Sequence, residues 1–140
     1  MHQATAHIEL QQLVARLANA FDLKDWEGLG ACLADSLYTD YGELRGKSPE
    51  TLTRERFVEK RRHALAALAT QHLAGNIEIE TRGDRADLKV AMVIVQRSAA
   101  DEVLNTHCLY YVGAIRSEGA WRIDSIRQKV LLSAGSARPA

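Results

Sequence analysis

The sequence of 140 residues contains only two cysteines, Cys32 and Cys108, and its five histidines do not have the spacing of a metal motif. Two cysteines so far apart in sequence predict neither a disulfide framework nor a zinc site. We therefore expect a protein that works without a metal and without any other cofactor.

The sequence also has neither an excess of one sign of charge nor a long apolar run. The chain has 18 Lys and Arg against 18 Asp and Glu. Without a basic block, neither nucleic acid nor an anionic membrane is an expected partner. The longest apolar run, Val90 to Val95, is far shorter than the roughly 20 residues of a membrane helix, and the N-terminus is too polar for a signal peptide. We predict a cytoplasmic protein whose partner is a small molecule or another copy of itself.

The beginning of the chain has the periodicity of a helix. Apolar residues follow the i, i+3, i+4 spacing from about Thr5 to Asp22, which predicts an amphipathic helix. Asp25 directly precedes Trp26 and is predicted to be the N-cap of a short second helix. Asp22 has no such capping position, which leaves it available for another role.

The remaining patterns predict a few more helical residues and then mostly strands. A strand, a loop and a further helix are predicted at about 36–41, 42–49 and 53–69. Strands rich in β-branched and aromatic residues follow at about 73–80, 86–97, 103–116 and 121–132. This order predicts an α+β fold in which helices pack on one face of a strongly curved antiparallel sheet and enclose a pocket. We expect one domain over residues 1–132 and a flexible C-terminal tail over 133–140.

Asp22 and His72 are the residues best suited to chemistry. Asp22 lies at the border of the buried stripe of the first helix, and His72 lies in a run, 64–76, that contains no other acidic or basic residue. A neutral imidazole in such surroundings can accept a proton, and a carboxylate that reached it across the pocket would orient it. Taken alone, a single buried histidine is more often a satisfied core residue than a catalyst.

Three segments of the sequence resemble a known family. The segments FDLKDWEGLGACLADSLYTDYGELRG, TQHLAGN and SEGAWRI occur in the order and at the spacing of the scytalone dehydratases. More widely, they resemble the SnoaL-like branch of the NTF2-like superfamily, which also contains a hexachlorocyclohexane dehydrochlorinase and a bile-acid dehydratase. The resemblance covers about residues 12–127 and implies the NTF2-like cone, with N-terminal helices on a curved mixed or antiparallel sheet.

The resemblance also implies roles for particular residues. Asp22 and His72 match the proton-abstracting pair of these enzymes, and Tyr41 matches a tyrosine that holds a water near the substrate carbonyl. Asn76 matches an asparagine of the dehydrochlorinase. The substrate-contacting positions differ from those of scytalone dehydratase and hold Phe21, Val95 (or Gln96 in a shifted register), Cys108 and Tyr110. The resemblance therefore implies the same chemistry on a different substrate.

Other residues offer alternatives for the site. Asp40 lies where the ketosteroid isomerases of the same superfamily have a general base, but neighbours on a strand face opposite sides, so we favour Tyr41 as the inward residue. Trp26 and Tyr38 could line the mouth of the pocket beside a flat substrate. The last strand could bring Arg127 or Gln128 to the mouth, whereas His107, out of phase with Cys108 and Tyr110, is predicted to face away.

Together these observations predict a cofactor-independent, dehydratase-like lyase. His72 would remove a proton from carbon next to a carbonyl, Asp22 would stabilise the imidazolium, and Tyr41 would polarise the oxygen. The expected substrate is a small hydrophobic oxygenated molecule, such as a polyketide, an aromatic compound or a steroid-like compound. A ketosteroid-isomerase-like enzyme and a non-catalytic ligand-binding module are the alternatives.

An open sheet leaves its outer face in need of cover. Residues such as Val103, His107 and Leu109 are predicted to lie on that face, so a homo-oligomer is expected. The resemblance to dyad-bearing enzymes favours a trimer, and the isomerase alternative favours a dimer.

Overall fold

The computed structural model describes residues 2–136 of the chain. The elements in chain order are α1 (His2–Leu23), α2 (Trp26–Ala31), β1 (Leu33–Asp40), α3 (Gly42–Arg45), β2 (Glu50–Thr53), α4 (Arg54–Leu65), β3 (Leu68–Arg82), β4 (Arg85–Ser98), β5 (Val103–Ser117) and β6 (Ala120–Gly135). No helix in this part of the chain is long and apolar enough to cross a membrane.

The strands form one open sheet in the order β2-β1-β6-β5-β4-β3. β1 runs parallel to β6, and the other neighbours are antiparallel. The sheet is therefore mixed, with β2 and β3 at its edges. The predicted α+β architecture, with helices preceding a long meander, is confirmed.

The helices pack against one face of this sheet. In α1, Leu10, Leu13, Val14 and Leu17 are buried, and their i, i+3, i+4 and i+7 spacing places them on one stripe. Along β4 and β5 buried residues alternate with more exposed ones, as expected for a sheet covered on one side. The two sets form one hydrophobic core, which fixes α1 against the inner face of the sheet.

The N-terminal boundaries of the short helices follow from capping. The Asp25 side chain accepts a hydrogen bond from the backbone N–H of Gly28 at 2.9 Å, which confirms its predicted N-cap role. Thr53 similarly accepts from the backbone N–H of Arg56 at 3.1 Å at the start of α4. Asp25 therefore has a structural role that Asp22 does not share.

The predicted boundary between α4 and the following strand is wrong. The segment from 66 to 69 was expected to be helical because Leu65 and Leu68 continue the apolar side of the predicted helix, but α4 ends at Leu65 and β3 begins at Leu68. Pairing decides the outcome, since Leu68 and Thr70 lie opposite Ser98 and Gln96 of β4. Tertiary pairing here outweighs local helix propensity.

Other boundaries also differ from the predictions. The predicted loop after β1 contains the short helix α3, and β2, which pairs with β1, was not predicted. β6 continues to Gly135, opposite Leu104 of β5. Residues 133–135 are therefore strand and not the expected tail, and residues 137–140 lie outside the described residues.

Candidate active site

Asp22 and His72 meet at the junction of α1 and β3. The imidazole Nδ1 lies 2.6 Å from Asp22 Oδ1, and the two side chains are 7% and 15% exposed for His72 and Asp22 respectively. An ionised carboxylate can only accept hydrogen bonds. In its neutral form the imidazole therefore carries its proton on Nδ1 and presents the lone pair of Nε2, which is the arrangement that a general base requires.

The carboxylate of Asp22 is held by two more donors. The backbone N–H of His72 donates to Oδ2 at 2.7 Å, and the Thr70 hydroxyl donates to Oδ1 at 3.0 Å. These bonds offset the unfavourable position of an anion in the last turn of a helix. They also fix the carboxylate relative to β3, so that the backbone of the strand and the imidazole are positioned by the same group.

The sheet topology explains why β3 offers that backbone donor. β3 is an edge strand, so one of its sides has no neighbouring strand to take up its N–H groups. Asp22 takes the place of such a neighbour for His72. The contact between the two residues is therefore built by the sheet edge and the end of α1 together.

A pocket opens beside this pair, with about 450 Å³ of empty space including its open mouth. Register places its sheet residues in rows: His72 is opposite Ile94, which is opposite Thr106. The helical side contributes Phe21, whose ring centroid lies 5.1 Å from that of His72. The residues lining the pocket are Phe21, Tyr41, Arg61, Leu65, Thr70, His72, Ile94, Gln96, Leu104, Thr106, Tyr110 and Gln128.

A family model described as a SnoaL-like domain matches residues 2–127. The chain belongs to the SnoaL-like family. The resemblance derived from the three sequence segments is thus confirmed, and the match includes both residues of the Asp22–His72 pair.

Individual relatives of this SnoaL-like chain agree with the family. A scytalone dehydratase-like protein from Passalora fulva is 33% identical over 75 residues, which are 54% of this chain and 42% of that protein. The chain therefore matches less than half the length of this relative. A protein from Kribbella flavida has a TM-score of 0.90 at 22% identity, covering 94% of this chain and 95% of that one.

A second similar solved structure is that of an enzyme. A hexachlorocyclohexane dehydrochlorinase from Novosphingobium barchaimii has a TM-score of 0.82 at 12% identity, covering 96% of this chain and 92% of that one. At these identities the likeness establishes the fold, which is the NTF2-like cone that the sequence analysis predicted.

The SnoaL-like pocket contains several of the predicted site residues. Phe21, Tyr41 and Tyr110 line it. Tyr41 was expected within a strand, but it lies just after the end of β1, as the residue preceding α3. Asp40 does not line the pocket, and its Oδ1 accepts a hydrogen bond from the backbone N–H of Gly42 at 3.0 Å. Tyr41 is therefore the inward residue of the two.

Five residues predicted to contact substrate do not line this pocket, namely Trp26, Tyr38, Val95, Cys108 and Arg127. On β1, β4 and β6 the inward side chains are those of neighbouring residues, because side chains alternate along a strand. Gln96 and Gln128 line the pocket, whereas Val95 and Arg127 are exposed on the other face, where the Arg127 guanidinium lies 4.1 Å from the centre of the Tyr111 ring. The predictions for Tyr38 and Trp26 are also wrong. Tyr38 is exposed, and Trp26 is half-buried and packs against the core.

The remaining named residues have structural positions. Asn76 is exposed, has a positive φ of 45°, and lies at the irregularity of β3 between Gly75 and Glu78, a conformation that asparagine tolerates better than most residues. His107 is half-buried and does not line the pocket, as predicted.

Among the polar residues of the pocket, sequence reasoning missed Arg61, Thr70 and Thr106. Thr70 was missed because it lies between the predicted helix, which ended at 69, and the predicted strand, which began at 73, and Thr106 because its strand offered several polar residues without a distinguishing signal. Arg61 had a signal: it lies four residues after Phe57 and four before Leu65, on the buried stripe of α4. Across residues 2–136, no group of three His, Cys, Asp or Glu side chains is arranged to hold a metal ion.

Cys108 is buried next to the pocket residue Gln128. Its Sγ donates to the Met92 carbonyl oxygen at 3.5 Å and accepts from Gln128 Nε2 at 3.7 Å. Burial raises the pKa of the Cys108 thiol to about 11, and the bond from Gln128 opposes this shift only in part. The thiol is neutral at physiological pH and is not a nucleophile.

We expect Cys108 to react slowly with thiol reagents in the native protein. A pKa of about 11, in place of the ordinary 9.0, leaves about 100-fold less thiolate at pH 8. The Cys32→Ser variant isolates this thiol, and its reaction with Ellman's reagent should be at least about 100-fold slower in buffer than in guanidinium chloride, because burial also limits access. Equal rates in the two solutions would contradict the buried neutral thiol.

Proposed function

We propose that this SnoaL-like protein is a cofactor-independent lyase of the dehydratase type, in which the Asp22–His72 pair removes a proton from a carbon atom. The observation that carries the proposal is the contact of 2.6 Å between His72 Nδ1 and Asp22 Oδ1 at the wall of a pocket. The Thr70 and backbone bonds to Asp22 support it, because they hold the pair in a fixed orientation.

The proposed reaction begins at a carbon next to a carbonyl. His72 Nε2 takes the proton, and the C–H electron pair forms an enolate that Tyr41 stabilises directly or through water. The enolate then expels a hydroxyl group from the β-carbon and forms the C=C bond. The imidazolium returns its proton to the leaving hydroxide, so one water is released and His72 is neutral again.

Asp22 controls the tautomer of the imidazole and the stability of its protonated form during this cycle. Its carboxylate keeps the proton of the neutral ring on Nδ1 and stabilises the cation after proton transfer. General acid–base catalysis of this kind supplies about 10²–10⁴-fold. Positioning in the pocket, between residues such as Phe21 and Ile94, must supply the rest of the acceleration.

Deuterium exchange tests this proposal directly. In D₂O, the protein should catalyse α-deuteration and loss of water from a β-hydroxy ketone of its substrate class, followed by NMR over a panel of polyketide-like, aromatic and steroid-like hydroxy ketones. A panel member that binds in the pocket yet undergoes neither exchange nor elimination would contradict the lyase proposal and favour a binding module.

The ketosteroid-isomerase alternative has less support from the pocket. It requires Asp40 as the base, and Asp40 instead accepts a hydrogen bond from the backbone of Gly42. Isomerisation by the Asp22–His72 pair is still chemically possible, because returning the proton to a different carbon requires no further group.

Self-association is a second part of the proposal. Leu73, Leu131 and Leu132 are each more than half exposed, which favours a trimer or a dimer that covers apolar surface. Sedimentation velocity at micromolar concentration should give a mass above that of one chain, and a purely monomeric species would contradict the proposal.

A further inference from the structure

Arg61 is a buried cation in the wall of the pocket. The residue is 8% exposed, lies between the buried Phe57 and Leu65 on the inner stripe of α4, and lines the pocket together with His72. Its guanidinium carbon is 5.9 Å from the centre of the Tyr41 ring. Within residues 2–136, no carboxylate lies within 4.0 Å of this guanidinium.

Several arginines at the surface have the opposite arrangement. Arg54, Arg82, Arg85 and Arg116 each have a carboxylate partner, although an exposed pair contributes little to stability. A guanidinium is charged at every physiological pH, and burying a charge without a counter-ion is costly. A ring contact at 5.9 Å is a weak interaction and does not replace the lost hydration of the guanidinium. The position of Arg61 therefore calls for an anion that the described chain does not supply.

Gln128 adds an unused acceptor to the same pocket. The residue is 3% exposed, and its Nε2 donates to Cys108 Sγ. Because the Cys108 thiol proton is directed at the Met92 carbonyl, the sulfur can only accept from the amide, and this fixes the amide orientation. Gln128 Oε1 is then left buried without a partner, in a position to accept a hydrogen bond from a ligand hydroxyl.

We propose that Arg61 binds an ionised carboxylate of the substrate, so that this enzyme acts on small hydroxy acids with an apolar or aromatic body. The guanidinium supplies parallel N–H donors that match the two oxygens of a carboxylate. Gln128 Oε1 accepts from a hydroxyl of the same molecule, and His72 faces the carbon that loses its proton. The reaction in this inference rests on the proposed lyase function, whereas the binding of the carboxylate does not.

A matched pair of ligands tests the charge requirement without turnover. Benzoate and benzamide have nearly the same shape, and at pH 7 only benzoate is charged. Isothermal titration should show benzoate binding to the wild type at least about 10-fold more tightly than benzamide, as expected for a charge-assisted hydrogen bond. Equal affinity for the two, or no binding of benzoate at millimolar concentration, would overturn the proposal.

Substitutions on α4 assign the preference to Arg61. Arg61→Met should lose about 10- to 100-fold in benzoate affinity with little change for benzamide, and Arg61→Lys should retain part of the preference. The control is Arg62→Met, because Arg62 is the exposed neighbour on the same helix, and it should bind like the wild type. If Arg61→Met lowers the affinity for both ligands equally, the residue has a packing role and the proposal fails.

The two proposals can fail separately. His72→Gln should keep the preference for benzoate, because the base is not needed for binding. A protein that prefers benzoate but converts no hydroxy ketone or hydroxy acid retains this inference and loses the lyase function. A protein that dehydrates neutral ketones and shows no preference for benzoate loses this inference and retains the lyase function.

Discussion

Replacing His72 by glutamine is expected to reduce kcat by about 10²–10⁴-fold, the contribution of a general base. Glutamine can still donate a hydrogen bond to Asp22, so the contact that joins α1 to β3 has a replacement. It has no lone pair basic enough to take a proton from carbon. Turnover should therefore fall while the fold and the ligand affinity are retained.

Three measurements separate this result from simple damage. Steady-state rates give kcat, titration with a substrate analogue gives the dissociation constant, and thermal unfolding gives the stability. His63→Gln is the matched control, since His63 is exposed on α4 and the same substitution there should change none of the three. A His72→Gln protein whose kcat stays within a few-fold of the wild type would exclude His72 as the base.

Replacing Asp22 by asparagine should reduce kcat by a comparable factor of about 10²–10⁴ and also destabilise the protein. The carboxylate accepts three hydrogen bonds, from Thr70 and from the backbone and ring of His72. An amide has one accepting oxygen and an NH₂ group that must face a donor or the ring. If the NH₂ faces Nδ1, the imidazole proton moves to Nε2 and the base is lost.

The loss of stability in Asp22→Asn has a separate cause. At least one of the donors on β3 is left without an acceptor, which costs about 1–3 kcal/mol of the free energy of unfolding. Urea titration followed by circular dichroism measures this change. The matched control is Asp25→Asn, because asparagine caps a helix about as well as aspartate, so both rate and stability should be close to those of the wild type.

A third asparagine variant distinguishes the two mechanisms of the superfamily. Asp40→Asn should leave kcat nearly unchanged, because Asp40 is bonded to the backbone of Gly42 and does not line the pocket. A larger loss in Asp40→Asn than in Asp22→Asn would favour the isomerase mechanism and refute the one proposed here.

The sequence predicted the elements better than the faces they present. Periodicity was sufficient for α1 and for the meander, because both patterns repeat over many residues. The choice between Val95 and Gln96, or between Arg127 and Gln128, depends on strand phase. The first pair reverses the usual pattern, because the glutamine is buried and the valine exposed, and in the second pair both side chains are polar, so neither pair reveals the strand phase from sequence.

Asp22 and His72 are 50 residues apart in sequence, and local sequence patterns could not predict that their side chains meet. Helix and strand propensities say nothing about which edge of a sheet meets the end of which helix, and the pairing was suggested by the resemblance to a family. Arg61 was recognisable as a charge on an apolar stripe, but whether such a charge is buried or extends to solvent depends on tertiary packing. The α4–β3 boundary had the same difficulty, because β4 decides where β3 begins.

The hydrogen bond from the backbone of His72 to Asp22 has a consequence for solution behaviour as well as for chemistry. An unprotected sheet edge is a template on which another chain can add a strand and start aggregation. With its carboxylate in place, Asp22 blocks that template in the N-terminal part of β3. Variants at position 22 should therefore form insoluble material on storage sooner than variants at position 72. The Asp22 side chain would then contribute both to catalysis and to resistance against aggregation.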